Sequence, residues 1–269
     1  MNNFDSVFSL LLSNGAVRCG AAFQTNPTLP GFPRIIAAAF PYLADNTHAP
    51  ISRYARASDY HTVLPRLMKP AADALIEMGF HAEIRADISP VHEVETAVRC
   101  GIGVRGKNGL VIVPEYGSWV FLGFILTDAP IGETPPQVPS ECLGCRACIR
   151  DCPANAISDS GIDAERCLSA VTQKKGGLTV LEQSLMRKTE TLWGCDICQE
   201  VCPMNHGARL TDIPAFSHNL IRDLSPKDLS GLSNRTLSLQ YPERAFTWRG
   251  AAVLKRNADI LHSTEESEK

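Results

Sequence analysis

The segment Cys142-Leu-Gly-Cys145-Arg-Ala-Cys148-Ile-Arg-Asp-Cys152-Pro153 spaces four thiols as C-x2-C-x2-C-x3-C-P. In such a run three cysteines hold one iron–sulfur cube and the fourth reaches across to another. A second run, Cys195-Asp-Ile-Cys198-Gln-Glu-Val-Cys202-Pro203, closes the region, and Cys167 stands alone between the two. Crossing the ligands assigns Cys142, Cys145, Cys148 and Cys202 to one 4Fe–4S cluster and Cys152, Cys167, Cys195 and Cys198 to the other. Both runs end in Cys-Pro, whose preset φ turns the chain away from a cluster. Zinc needs four ligands, usually as two separated pairs, and would leave half of these thiols idle. Disulfides suit small secreted chains, and no charged-then-apolar signal segment is seen at the start. Ten cysteines in such a chain point to a reducing cytoplasm in which thiolates stay available for iron.

Composition sets wider bounds. With 269 residues, 44% hydrophobic and 20% charged, the chain reads as a soluble protein of one large or two modest domains. No apolar run approaches the roughly 20 residues of a membrane helix. The net charge of −3 gives no global attraction to nucleic acid, so any RNA contact rests on a local patch. Lys174-Lys175, Arg187-Lys188 and Lys255-Arg256 are candidates, although each taken alone reads better as a solvated pair of charges.

From the start, Phe4, Val7, Phe8, Leu11 and Leu12 share one stripe and predict a short helix over Phe4–Leu12, stopped near Asn14-Gly15. A Pro-rich loop from Gln24 to Pro33 precedes Arg34–Tyr42, a continuous apolar run that predicts a strand buried on both faces, as in an α/β core. Apolar positions from Val63 to Ile76 recur at helical spacing before Gly79, with Pro70 demanding a kink or a later start. His81–Ile88 predicts a strand, and Ser89-Pro90 the cap and first position of a helix carrying Val91, Val94, Ala97 and Val98 inward. Asp87 thereby falls at a strand end before a helix start, where α/β folds gather chemistry. Gly101–Asn108 has G-x-G-x-x-G spacing, but it follows a helix and precedes a strand, the reverse of a phosphate-binding context. Its glycines suit a tight turn or a close backbone approach to a flat ligand. Val111–Val113 and Ser118–Leu126 predict a hairpin around Pro114–Gly117, and Thr127–Ser140 a linker. The stripe Ala251, Val253, Leu254, Ile260 and Leu261 suits a C-terminal helix, and Cys19 and Cys100 suit small buried hydrophobes.

Arg53-Tyr54-Ala55-Arg56, Asp59-Tyr60-His61, Asp87 with Pro90-Val91 and Glu93, Gly106-Lys107-Asn108, Pro114-Glu115-Tyr116-Gly117-Ser118-Trp119, Phe121-Leu122-Gly123 and Leu126-Thr127-Asp128 stand in one order. With the eight cysteines, Arg166-Cys167 and Trp193-Gly194-Cys195, they make residues from about 34 to 205 resemble the epoxyqueuosine reductase family. The resemblance implies an N-terminal cobalamin domain without an axial histidine and a ferredoxin-like domain with one cluster near the corrin. Electrons arriving singly would reduce cobalt to a nucleophilic state that attacks the epoxide-bearing ring of a tRNA base. Asp87 would give the proton, which requires the bound corrin to bury this carboxyl and raise its pKa in a position where a helix N-terminus favours the anion. Lys107 and Asn108 would meet corrin side-chain amides, Tyr60 would add a hydroxyl, and Trp119 and Leu122 would line the corrin face or the seam between domains. Loop capping or ordinary core packing is the competing reading for each of these residues. His61 is not read as a cobalt ligand, because Leu64 stands where the D-x-H-x-x-G pattern needs glycine.

The departures from the family are specific. Val104-Arg105 precede the Gly-Lys-Asn motif, Leu168–Lys174 differs where the family lies near tRNA, and the helical-repeat tail of longer members is not found after Trp248-Arg249-Gly250 and Leu254–Ala258. The expected organisation is an α/β cobalamin-type domain over 1–130, an α+β ferredoxin-like domain over 131–210, and short helices with a frayed tail over 211–269. The expected protein is a cytoplasmic monomer served by an external one-electron donor of flavodoxin or ferredoxin type. Another corrinoid reductase, such as a reductive dehalogenase, or an electron-transfer protein without corrin remains an alternative.

Overall fold

The apolar run beginning at Arg34 lies inside the main sheet of the computed structural model, which describes residues 4–26, 29, 31–87, 92–136 and 141–262. Helix α1 (Asp5–Ser13) leads into β1 (Arg18–Phe23) and β2 (Arg34–Pro41). Helix α2 (Tyr60–Glu77), β3 (Ala82–Arg85), α3 (Glu93–Arg99) and the short strands β4 (Val104–Arg105) and β5 (Val111–Ile112) precede the long strand β6 (Val120–Thr127). The sheet order is β1-β2-β6-β3, and every pairing is antiparallel.

That antiparallel sheet corrects the α/β expectation: the first half is an α+β layer. Burial on both faces, whatever the strand direction, makes a strand uniformly apolar. In β2, Ile36, Ala38 and Phe40 enter the core beneath α1 and α2, while Ile35, Ala37 and Ala39 enter the core that contains Ala97 of α3. Opposite Ala38 in the register stands Gly123. A Cβ at Gly123 would collide with the Met68 sulfur, so this glycine lets α2 lie close to the sheet.

Asp59 caps α2, accepting the His61 backbone N–H at 3.0 Å. The helix runs through both Pro65 and Pro70 and begins at Tyr60, so the alternative of a later start falls away. Its buried face, Val63, Leu64, Met68, Ala71, Ala72 and Leu75, supplies the packing that carries a helix past two unfavourable residues. The expected Ser89-Pro90 cap lies outside the described residues. Helix α3 follows His92 and ends before Gly101, whose φ is 71°.

The expected hairpin between Val111–Val113 and Ser118–Leu126 is also corrected. Strand β5 pairs with β4, and β6 pairs with β2 and β3, leaving a single bridge from Val113 to Gly117. Hydrophobic runs mark strands but carry no label for their partners. The glycine-rich segment instead closes the β4–β5 turn, where the Gly106 N–H donates to the Leu110 carbonyl at 2.8 Å.

Beyond the sheet the elements shorten. They are α4 (Ala147–Arg150), β7 (Ile157–Ser158), β8 (Gly161–Ile162), α5 (Leu168–Thr172), α6 (Val180–Lys188) and α7 (Ile197–Glu200). Helices α8 (Pro214–Ser217), α9 (Pro226–Leu229), α10 (Asn234–Gln240) and α11 (Ala251–His262) follow. Shared cores cross the expected boundaries near 130 and 210. Ile213 and Phe216 join the α1–α2 core, and Ile51 and Ala55 pack with Trp193, Leu237, Phe246 and Leu254. Arg53 Nη1 pairs with Asp196 at 3.3 Å and Glu200 at 2.5 Å, and Ser52 Oγ donates to Asp196 at 2.5 Å. Among the described residues no helix is long and apolar enough to cross a membrane.

Candidate active site

A cavity of about 410 Å³ separates the end of the sheet from the cysteine-rich segment. Asp87 and Tyr60 line one side, Cys167, Cys195 and Cys198 line the other, and Phe121 and Leu122 of β6 lie between. Asp87 sits two residues past β3 with φ at 60°, a left-handed conformation that aspartate tolerates better than most side chains.

The first turn of α2 supplies its partners. Tyr60 donates to Asp87 Oδ2 at 2.9 Å, and His61 Nε2 lies 3.0 Å from the same oxygen. His61 Nδ1 lies 2.7 Å from Asp59 Oδ1. A ring between two carboxylates can donate on both sides only as the imidazolium. The hydrogen bond to Asp59, and then that to Asp87, accordingly push His61 up to about 9. In return, hydrogen bonding from His61, aided by Tyr60 and opposed by burial, holds the Asp87 carboxyl below the usual carboxylate range. By the protein's own groups alone Asp87 is thus held as the anion beside an imidazolium, a partner that the residue spacing alone did not reveal. Burial and the nearby Asp87 charge push the Tyr60 phenol up, so it remains a donor.

Two polar groups of the cavity wall stay unpaired. Burial, then the Asp87 charge, pushes Glu93 up to about 7, and its Oε1 is buried without a hydrogen-bond partner. The Nδ2 of Asn108, a residue only 4% exposed, is likewise unpartnered. Buried polar groups are rarely left so. A ligand edge carrying amides, as a corrin does, would satisfy both, so the residues present fit that group.

Tyr60, Asn108 and Leu122 line this cavity as expected of cofactor contacts, and Lys107 and Trp119 do not. Lys107 turns toward Asp159, 3.2 Å away, and lines a second, smaller cavity beside Cys142, Cys145, Cys148 and Cys202. Trp119 is buried behind Tyr42, edge-on to that ring at 6.1 Å, with Arg53 5.0 Å from its own ring. Asn108 borders both cavities, whereas its neighbour Lys107 borders only the smaller one.

The seven cysteines of the two runs and Cys167 are free thiols. Cys142, Cys145, Cys148 and Cys202 lie within each other's electrostatic reach, as do Cys152, Cys167, Cys195 and Cys198, and Cys148 is also felt by Cys198. Among the described residues no trio of His, Cys, Asp or Glu closes as tightly as the ligands of one ion. Thiols grouped but held apart suit polynuclear clusters better than zinc. Outside both sets, Cys100 is fully buried and Cys19 half-buried, and desolvation pushes them up to about 12 and about 11.

His61 and Glu93 are the functional side chains whose roles sequence reasoning missed. The Asp59-Tyr60-His61 cap was visible, but its junction with Asp87 is tertiary. The buried network in which Ser118 Oγ donates to Gln199 Oε1 at 2.9 Å and the Asn205 amide donates to Ser118 Oγ at 2.9 Å was equally hidden.

Comparison with known proteins places these features in context. The family described as "Epoxyqueuosine reductase QueG, DUF1730" matches residues 23–88, and the "4Fe-4S double cluster binding domain" matches residues 141–205. The epoxyqueuosine reductase of Bacillus cereus is 35% identical over 265 residues, covering 91% of this chain and 68% of that protein. The Listeria monocytogenes epoxyqueuosine reductase is 36% identical over 245 residues, covering 84% and 63%. The chain spans about two thirds of the length of these curated relatives. A crystal structure of epoxyqueuosine reductase with a tRNA-Tyr epoxyqueuosine-modified tRNA stem loop shares the fold, with a TM-score of 0.83 at 24% identity over 96% of this chain and 80% of that one.

Proposed function

The chain belongs to the epoxyqueuosine reductase family of oxidoreductases, and from that premise we propose that it reduces an epoxide-bearing base presented by a tRNA loop. The observation that carries the proposal is a cavity lined both by Asp87, which His61 holds from behind, and by the thiols of Cys195 and Cys198. Cobalamin seated there, beside Asn108, Glu93, Tyr60 and Leu122, would supply a nucleophilic metal centre for opening the epoxide.

The chain's own groups manage electrons and protons. Cys145 is the exposed thiol of its set, so a 4Fe–4S cluster held by Cys142, Cys145, Cys148 and Cys202 would be the one open to an external one-electron donor of flavodoxin or ferredoxin type. A second cluster held by Cys152, Cys167, Cys195 and Cys198 would adjoin the cavity, whose wall includes the last three of these thiols. His61 stores a proton, Asp87 takes it at Oδ2 and hands it to the departing oxygen, and Tyr60 holds the carboxyl in place. A relay suits this site better than a permanently neutral aspartic acid, because His61 is the group kept protonated at neutral pH. Both cavity walls come from one chain, so a monomer suffices.

The test begins with anaerobically reconstituted protein given cobalamin and then desalted. Retained corrin absorbance, about eight iron atoms per chain and turnover of an epoxyqueuosine stem loop are expected. Loaded clusters with no retained corrin would leave the electron-transfer alternative instead.

A further inference from the structure

We propose that Trp248 and Arg249 form a stacking shelf for an unpaired nucleobase of the RNA loop, next to the base that enters the cavity. This inference rests on the tRNA reading above and adds a binding site outside the cavity.

Of the three tryptophans, Trp119 is 4% exposed and Trp193 fully buried, whereas Trp248 is 60% exposed. An indole left this open offers a flat face on which a planar group can stack. The ring is nevertheless fixed. Its Nε1 donates to Gln173 Oε1 at 3.0 Å, and the Gln173 amide donates to the Ser169 carbonyl at 3.0 Å and the Tyr54 hydroxyl at 3.4 Å. Ser169 and Tyr54 line the cavity. One glutamine side chain therefore separates the exposed indole from the cavity wall, which places Trp248 at the rim.

The chemistry of the shelf favours RNA. The Arg249 guanidinium carbon lies 3.6 Å from the indole centroid, giving a flat cationic surface of the type on which bases of single-stranded loops stack. Lys175 is exposed in the loop that follows Gln173. Arg256 holds that loop, donating to the carbonyls of Lys174 and Gly176 at 2.6 Å each. The shelf is braced from behind as well: Gly250 turns at φ 87°, a Cβ there would meet the Asn234 side chain at 2.6 Å, and Asn234 Oδ1 accepts the Ala251 N–H at 2.9 Å. A chain of net charge −3 needs such a local cationic and aromatic patch to hold a polyanion.

The experiment measures binding of a fluorescently labelled anticodon stem loop carrying the modified base, by anisotropy, to holo-protein of verified iron and corrin content. Trp248→Ala should weaken binding roughly tenfold, and Trp248→Phe should stay within about threefold of wild type, since any aromatic face stacks a base. The salt dependence should be unchanged by Trp248→Ala and flatter in Lys175→Ala, because only the lysine releases counterions. Gln173→Ala keeps the indole and should lose less than Trp248→Ala. Wild-type affinity in Trp248→Ala, with turnover intact, would overturn the shelf and leave the reductase reading standing. An equal loss in Gln173→Ala would overturn it too, by showing that the indole merely braces the glutamine. A wild-type protein that neither binds nor reduces the stem loop would remove the reading beneath.

Discussion

The sheet half and the cysteine-rich segment are built on opposite economies of structure. Strands β2 and β6 are paired along eight residues, and the alternate side chains of β2 fill two separate cores. Between Cys142 and Cys202 the helices and strands run two to nine residues, and a small cluster of Leu168, Val171, Leu178, Met186 and Ile260 is the core that gathers around them. Burial holds the first region together. In the second, thiols occupy positions where a core would need apolar side chains, so bound iron must contribute to the fold.

The sharpest way to break this contrast is to strip the iron with a chelator. Turnover should vanish. Hydrogen exchange should quicken over 147–205 while 34–41 and 120–127 stay protected, and equal loss in both regions would show that the two fold as one unit. Next comes Asp87→Asn, expected to lower kcat by about 10²–10⁴-fold with corrin and iron content unchanged. The pH profile sharpens that result. His61 is raised from 6.5 to about 9, so its contribution is complete below its ordinary value and lost as pH rises through about 9, and turnover should fall on that same rise. The depressed Asp87 contributes in the other sense, lost as pH falls through its lowered value. A profile flat to well above pH 9 would remove His61 from the relay.

Arg53→Ala probes the junction between the regions. It strands Asp196, whose side chain is 7% exposed, and should cost roughly 3–5 kcal/mol in a urea titration, the usual penalty for orphaning one partner of a buried pair. A smaller loss would mean that the two regions are coupled by their shared cores alone. Lys69→Ala removes an exposed i,i+4 pair with Asp73 on α2 and should change stability by under about 0.5 kcal/mol. A larger change would show that the sheet half depends on surface charge as well as on burial.

Legibility followed the same division. The thiol spacing pointed to a double-cluster domain, which the family match over 141–205 shows, because ligand chemistry is written in residue type and interval. The Arg34–Tyr42 run and the Val63–Leu75 stripe gave β2 and α2, yet neither fixed strand direction, since burial on both faces looks alike in parallel and antiparallel sheets. Lys107 and Asn108 are neighbours in a family motif, yet only Asn108 reaches the larger cavity while both border the smaller one, a difference that residue type and interval do not encode. The Asp87–His61 contact joins a strand end to a helix start 26 residues away, and only the packed sheet brings the two together.

The cavity draws its walls from residues 42–122 and 162–199. A chain emerging from the ribosome has made its acid long before its last thiols, so there is no receptacle until Gln199 has left the exit tunnel. Any prosthetic group seated there must be installed after that point in synthesis, and a fragment ending before Ile162 would keep the sheet while owning half a socket.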